Sequence, residues 1–214
     1  TNMPIKVHYF DLYARAEPTR MMLTRAGVAF EDVRVTHDSW GELKESGKLE
    51  YGQVPMVELE DGTRLTQQRA IEQYIAATNG FNATEPMDMY KSEHLLCLFW
   101  DDFFGKYMQK AMFADAESKP ALMEAIWATH VPALFNGISR KLSDKKFILG
   151  DSLKHIDFVI LGWIVNVVLN GNNPMKAEWT ASWEAAPANL KACVANFQEE
   201  MKEYLANRPQ NCTM

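Results

Sequence analysis

YGQVPMVELEDGTRLTQQRAIEQYIAA, Tyr51 to Ala77, changes its periodicity twice, and the rest of the chain can be placed around it. Met56 to Glu60 alternates apolar and polar residues, Asp61-Gly62 is a two-residue hairpin signal, and Thr63 to Thr66 resumes an extended run. Ala70, Ile71, Tyr74 and Ile75 then recur at helical spacing, so a second strand runs directly into an amphipathic helix beginning near Gln67-Gln68.

The chemistry this arrangement allows depends on Val54-Pro55. A cis bond there would turn the chain so that the Val54 N–H and C=O leave the sheet and pair with a peptide-like ligand. The N–H groups of Gln67, Gln68 and Arg69 at the helix start suit a carboxylate. The alternative is that Pro55 simply begins an edge strand, and the residues taken alone favour that reading.

Outward from this stretch, Ile5 to Phe10 alternates and reads as a first strand. Arg15 to Ala26 reads as a helix closed by Gly27, and Phe30 to Val35 as a second strand. Strand, helix, strand predicts a right-handed crossover and a parallel pair. Ser39 to Gly47 is irregular or briefly helical. Together these make a small α/β layer over residues 1–78, of thioredoxin-like order. Residues 79–88, with Asn79-Gly80, Asn82 and Pro86, read as a linker. Residues 89–214 read as an all-helical domain. Met89 to Phe113 is one long helix, and Pro120 to Leu142 is another that Pro132 should kink near Ala128. Ile156 to Leu169 is almost wholly apolar, too short to span a membrane and suited to the centre of a bundle. A final helix starts at Pro187 and ends near Ala206-Asn207.

The chain has 214 residues and a net charge of −6, which argues against a general nucleic-acid or anionic-membrane binder. Cys97, Cys193 and Cys212 are dispersed and odd in number, so neither a disulfide scaffold nor a structural zinc is expected. Thr1-Asn2 precede Met3, and the opening residues contain no apolar run of the signal-peptide kind. A cytoplasmic location is the expectation.

Gln53-Val54-Pro55, Asp61-Gly62, Leu65-Thr66-Gln67, Arg69-Ala70-Ile71 and Tyr74-Ile75-Ala76 together resemble the glutathione-binding signature of the soluble glutathione transferases. The likeness extends upstream to His8-Tyr9-Phe10 and to Arg15-Ala16-Glu17-Pro18-Thr19-Arg20, and it is greatest to the sigma class. The resemblance implies a homodimer with glutathione as co-substrate and a small apolar electrophile as second substrate. It implies no metal, no nucleic acid and no membrane.

Carried over residue by residue, Tyr9 would donate its phenolic hydrogen to the glutathione sulfur and hold it as thiolate, with Arg15 adding positive charge. Lowering a thiol pKa by about two units takes 2.7 kcal/mol. One hydrogen bond to an ionised group supplies about 1.5–3 kcal/mol, so Tyr9 suffices for most of it. Trp40 and Lys44 match contacts to the glycine end of glutathione, and Gln53, Val54 and Gln67 match further contacts. Gln68 stands where relatives carry Ser or Thr to bond the γ-glutamyl carboxylate. Asp101 or Asp102 would reach the glutathione amine of the neighbouring subunit. Phe10, Tyr13, Trp100, Phe104, Tyr107 and Met108 form either an apolar wall for the second substrate or part of the core. Tyr51 matches a plug into the partner subunit in some classes. Two departures stand out. Ala14 replaces the usual Gly before Arg15, and Lys154 replaces the Ser or Thr that would begin a capping box ending at Asp157. The missing hydroxyl should cost about 1 kcal/mol unless Ser152 or water substitutes. Two other functions remain open: a glutathione-dependent prostaglandin D isomerase, and a non-catalytic crystallin or carrier of apolar ligands.

Overall fold

The computed structural model describes residues 4–142 and 144–213. The expectation concerning the Thr1-Asn2 start therefore lies outside the described residues. The chain divides into two compact units, one of residues up to Asn82 together with those from Met201 onward, the other Ala83–Glu200.

In the first unit, β1 (Ile5–Phe10) and β2 (Phe30–Val35) run parallel with Ile5 opposite Phe30 and Phe10 opposite Val35. β3 (Met56–Glu58) runs antiparallel to β1, and β4 (Arg64–Thr66) antiparallel to β3, giving the order β2-β1-β3-β4. The two-residue side-chain period turns Val7 and Tyr9 of β1 inward, while Lys6, His8 and Phe10 stay partly exposed. The helix expected from Arg15 begins differently. A single 3₁₀ turn, Ala14–Ala16, precedes α1 (Glu17–Arg25), which takes Pro18 into its first turn, where the missing N–H costs nothing. It ends as expected at Gly27, whose φ of +70° closes the helix.

α2 (His37–Glu45) is a full helix started by a reciprocal cap. The Thr36 hydroxyl accepts the Ser39 N–H at 3.2 Å, and the Ser39 hydroxyl accepts the Thr36 N–H at 2.9 Å. The hairpin between β3 and β4 is longer than the two-residue turn expected from Asp61-Gly62. Gly62 N–H donates to the Leu59 carbonyl and Leu59 N–H to Thr63, so Gly62, at φ +85°, is the residue that absorbs the turn. α3 (Gln68–Thr78) follows β4 directly and packs Ile71 and Ile75 inward, as α1 does Met21, Met22 and Leu23. Each of these side chains is fully buried and worth about 1.5–3 kcal/mol of transfer free energy.

The second unit is helical. α4 (Pro86–Cys97) runs unbroken through Leu98–Met108 into α5 (Gln109–Met112), so the long helix expected from Met89 starts earlier, at Pro86. Its middle is widened, with N–H groups reaching back five residues, as Gln109 does to Phe104. The same widening occurs at Ile126–His130, between α6 (Lys119–Ala125) and α7 (Val131–Ser139). There the helix is disturbed one turn before Pro132, around Ala128, as expected, and the disturbance takes the form of a π-type turn: Pro132 has no N–H to give the Ala128 carbonyl, and Val131 donates to Ile126. α8 (His155–Trp163), buried from His155 through Gly162, continues into a third such stretch, Ile164–Val168. Its predicted central, buried character is what the structure shows.

Two elements differ from the sequence reading. α9 (Lys176–Glu184) has no strong periodicity and was not expected, and it is anchored by Trp179, fully buried between Trp127 at 4.7 Å and Trp163 at 5.4 Å. The single final helix is two, α10 (Ala188–Glu200) and α11 (Lys202–Asn207), broken at Met201. The capping at α8 also differs. The Asp157 carboxylate accepts the N–H groups of Lys154 at 2.7 Å and Ile148 at 3.0 Å. The Asp157 N–H, deprived of a hydroxyl at position 154, is taken by the Lys154 backbone carbonyl at 2.9 Å, not by Ser152.

Candidate active site

The candidate residues of the first unit gather at one end of the sheet, where β1 ends and α3 begins. Tyr9 is the last inward-facing residue of β1 and is only 7% exposed. Its hydroxyl accepts the backbone N–H of Arg15 from the 3₁₀ turn. Burial pushes the phenol above its ordinary pKa of 10, opposed by that N–H and by the charges of Arg15 and Arg20. At neutral pH Tyr9 is thus a protonated hydroxyl with its own hydrogen free to donate, the state needed to stabilise an anion beside it.

Next to Tyr9, Phe10 meets the Trp40 ring edge-on at 5.2 Å, and Lys44 Nζ lies 5.6 Å from the same ring. This places Trp40 and Lys44, both from α2, beside the end of β1 and leaves Lys44 exposed. Gln53 and Val54 precede Pro55, and the Val54-Pro55 bond is cis; β3, which follows, lies between β1 and β4, so Pro55 does not begin an edge strand. Val54 stands outside the ladder, which ends at the Met56–His8 pair.

At the start of α3, Gln67 has φ +68° and ψ 109°, a conformation that costs a non-glycine residue about 1–3 kcal/mol. No side chain caps this helix. Its first-turn N–H groups belong to Gln68, Arg69 and Ala70, one position later than expected, since Gln67 supplies the carbonyl that accepts Ile71. A strained residue directly before an uncapped helix start is the arrangement that presents backbone dipoles to an anion.

Gln68 is committed within its own helix. Its side-chain nitrogen donates at 2.8 Å to Glu72, a fully buried carboxyl one turn on. Glu72 went unnoticed in the sequence, although the i,i+4 spacing with Gln68 was there to be read. Arg15 is exposed, and its neighbour Ala14 has φ +32°, another non-glycine in the left-handed region. Tyr13 does not present an open face: it is 3% exposed, its hydroxyl donates to the Pro209 carbonyl, and Arg208 lies 3.9 Å over its ring.

The fold and this geometry agree with what the chain resembles. Over residues 5–77 it matches the family described as glutathione S-transferase, N-terminal domain. The match covers the α/β part of the first unit. Hematopoietic prostaglandin D synthase of Gallus gallus is 29% identical over 153 residues, 72% of this chain and 74% of the relative. S-crystallin 4 of Enteroctopus dofleini is 25% identical over 183 residues, 80% of this chain and 84% of the relative. The structure of a prostaglandin synthase D of Nilaparvata lugens superposes with a TM-score of 0.79 at 23% identity, over 97% of this chain and 99% of that one. The chain therefore has the glutathione transferase fold, a thioredoxin-like domain followed by a helical region.

The remaining candidates stand on the helical unit, all on the widened stretch Leu98–Met108. Asp101 and Asp102 are exposed. Trp100 and Phe104 are half-buried with their rings 5.4 Å apart, and the Trp100 indole nitrogen has no hydrogen-bond partner among the described residues. Met108, 5% exposed, belongs to the core of its unit, and Tyr107 stacks on His130 at 3.6 Å. Among the described residues, no group of three or more His, Cys, Asp or Glu is arranged to hold a metal ion. No helix among them is long and apolar enough to cross a membrane.

Proposed function

We propose that this protein is a sigma-like, tyrosine-type glutathione transferase, acting in the cytoplasm as a homodimer and conjugating glutathione to small hydrophobic electrophiles. The observation that carries this reading is Tyr9: a buried, protonated phenol held by the Arg15 N–H at the end of the strand nearest the strained start of α3. In this reading glutathione lies along Val54 with its γ-glutamyl carboxylate on the first turn of α3. Its glycine end meets Trp40 and Lys44, and its thiol rests on Tyr9. Gln53 and Gln67 complete the frame. Tyr9 and Arg15 favour the thiolate, which attacks a small apolar electrophile bound beside Phe10. Positioning the two reactants together accounts for the remaining acceleration, and no covalent intermediate with the protein is required.

The net charge of −6 repels an anionic tripeptide at long range, so the local cations Arg15 and Lys44 and the helix start must supply the attraction. Dimerisation is supported by large apolar side chains left exposed, among them Tyr51 at 59% and Tyr74 on the first unit, and Met87, Met89, Tyr90 and Phe113 on the second. In this reading Tyr51 inserts into the partner, and Asp101 or Asp102 reaches the glutathione amine across the interface.

A second reading is a carrier of apolar ligands with weak catalysis, and Gln68 favours it. The residue offers an amide where a short hydroxyl is expected, and that amide is tied to Glu72. Retention on immobilised glutathione together with turnover of a generic aryl halide supports the transferase. Retention without turnover of either an aryl halide or prostaglandin H2 supports the carrier, and turnover of the prostaglandin alone supports the isomerase. Gln68→Ser is expected to tighten glutathione binding by about fivefold through one added hydroxyl bond, and to cost about 1.5 kcal/mol of stability as Glu72 loses a donor. Calorimetric titration and urea unfolding measure the two effects. Unchanged affinity would mean that Gln68 already serves the carboxylate.

A further inference from the structure

The loop joining β1 to α1 is held by side chains of β2 and α1 and by the last helix and the segment after it. On the near side, the Asp11 carboxylate meets Arg34 at 3.1 Å, and the Leu12 carbonyl accepts Arg20 Nη1 at 2.8 Å. The Tyr13 hydroxyl donates to the Pro209 carbonyl, and the Arg208 guanidinium lies 3.9 Å over the Tyr13 ring. On the far side, the fully buried Glu17 carboxylate accepts Arg208 Nη1 at 2.6 Å and the Tyr204 hydroxyl at 2.8 Å on one oxygen. Its other oxygen accepts Arg20 Nη1 at 3.2 Å. Arg208 thus grips Tyr13 by its face and Glu17 by its charge.

Between these two gripped residues stand Ala14 at φ +32° and Arg15, whose N–H holds the Tyr9 hydroxyl. A side chain with a Cβ does not rest at such a φ by preference; it persists there where the surroundings over-determine the backbone. Tyr13 and Glu17 flank this turn and are joined by the Glu17 N–H to the Tyr13 carbonyl at 3.1 Å, and Arg208 contacts both, alongside Pro209 on Tyr13 and Tyr204 and Arg20 on Glu17. Removing that grip lets Ala14 relax towards negative φ and carries the Arg15 N–H off Tyr9.

We propose that the segment from Tyr204 to Pro209 positions the Tyr9 hydroxyl, with Arg208 and Pro209 clamping Tyr13 and Glu17 on either side of Ala14-Arg15. Arg208 is a positioning residue, acting on Tyr9 through the loop. Its effect on catalysis rests on the transferase reading above, whereas its effect on the loop does not.

The test is Arg208→Ala in the full chain. Amide hydrogen exchange followed by NMR in the ligand-free protein should show the Arg15 amide exchanging at least about tenfold faster, while the core amides of Val7 and Met22 are unchanged. In the same variant the thiol pKa of bound glutathione should rise and kcat fall, with KM for glutathione changed less. Adding Ala14→Gly should return part of both effects, since glycine holds a positive φ without a clamp. Unchanged Arg15 exchange would overturn the proposal, as would an acceleration shared equally by the core amides. Should Arg208→Ala fail to fold, Arg208→Lys keeps a cation for Glu17 and loses the flat face on Tyr13. A local acceleration at Arg15 is expected there too, and its absence would overturn the proposal. If the wild-type protein leaves the thiol pKa of glutathione unshifted, the transferase reading fails, and the exchange data still decide the clamp.

Discussion

Replacing Tyr9 by Phe should lower the rate of conjugation at least tenfold, by about 1.5–3 kcal/mol of lost thiolate stabilisation, with the fold intact and glutathione affinity little changed. The ring remains, so the packing of Val7 and Tyr9 on the inner face of β1 is preserved, and only the hydroxyl bonded to the Arg15 N–H is lost. Thiolate absorbance of bound glutathione against pH gives the direct reading. The wild type should titrate well below the ordinary thiol value of about 8.5, and Tyr9→Phe should move the midpoint back towards it. The pH dependence has a definite sign. Turnover rises with pH through the thiol midpoint, and that rise shifts to higher pH in the mutant. An alkaline decline from Tyr9 itself is displaced to higher pH than for a free phenol, because burial raises its pKa and the donating form persists. A mutant as active as the wild type with the same profile would remove Tyr9 from the mechanism.

Asp157→Ala should cost about 3–5 kcal/mol, a large share of the 5–15 kcal/mol that holds a domain folded. Asp157 is fully buried at the start of α8, the central helix of the second unit, and accepts the N–H groups of Lys154 and Ile148. Alanine leaves both donors buried with nothing to accept them. Urea unfolding checks the loss, and a change within 1 kcal/mol would mean that water or a neighbouring carbonyl had taken both N–H groups. Lys154→Ser should regain less than the ~1 kcal/mol of an ordinary cap, because the Lys154 carbonyl already takes the Asp157 N–H.

The same carboxyl makes stability depend on pH. Burial pushes its pKa up to about 7, against the pull of the two N–H bonds. The unfolded chain titrates at an ordinary aspartate value of about 3.9, so the folded state holds the extra proton between the two. The Asp157 contribution is complete below the lower value and is lost as pH rises through the upper one. Asp157→Asn cannot ionise and should lack this decline between about pH 4 and pH 7. Parallel profiles for wild type and Asp157→Asn would show that the decline arises elsewhere.

Much of the first unit could be read from the residues because its signals are local. The alternation of Ile5–Phe10, the positive φ demanded of Gly27, and the change from period two to helical spacing near Gln67 each depend on a few neighbours. β1, β2 and the start of α3 consequently lie where they were expected. Apolar run length likewise marked α8 as the buried helix of the second unit. Tyr9, Trp40, Lys44, Val54 and Gln67 came from the resemblance to the glutathione transferases, and they stand in the region where β1 ends and α3 starts.

What could not be read has a common physical cause: it is settled by partners distant along the chain. α9 is weakly amphipathic and is anchored by Trp179 among rings from other helices. The break at Met201 begins the segment that leaves the helical unit and joins the first one, where Arg208 meets Glu17 across 191 positions of sequence. No local rule sets an alanine at φ +32°. Ala14 lies between Tyr13 and Glu17, which are contacted by Pro209 and Arg208 from the far end of the chain. Resemblance to a known family was enough to nominate a phenol for the thiol; the surroundings of that phenol depend on contacts that exist only once the chain has closed on itself.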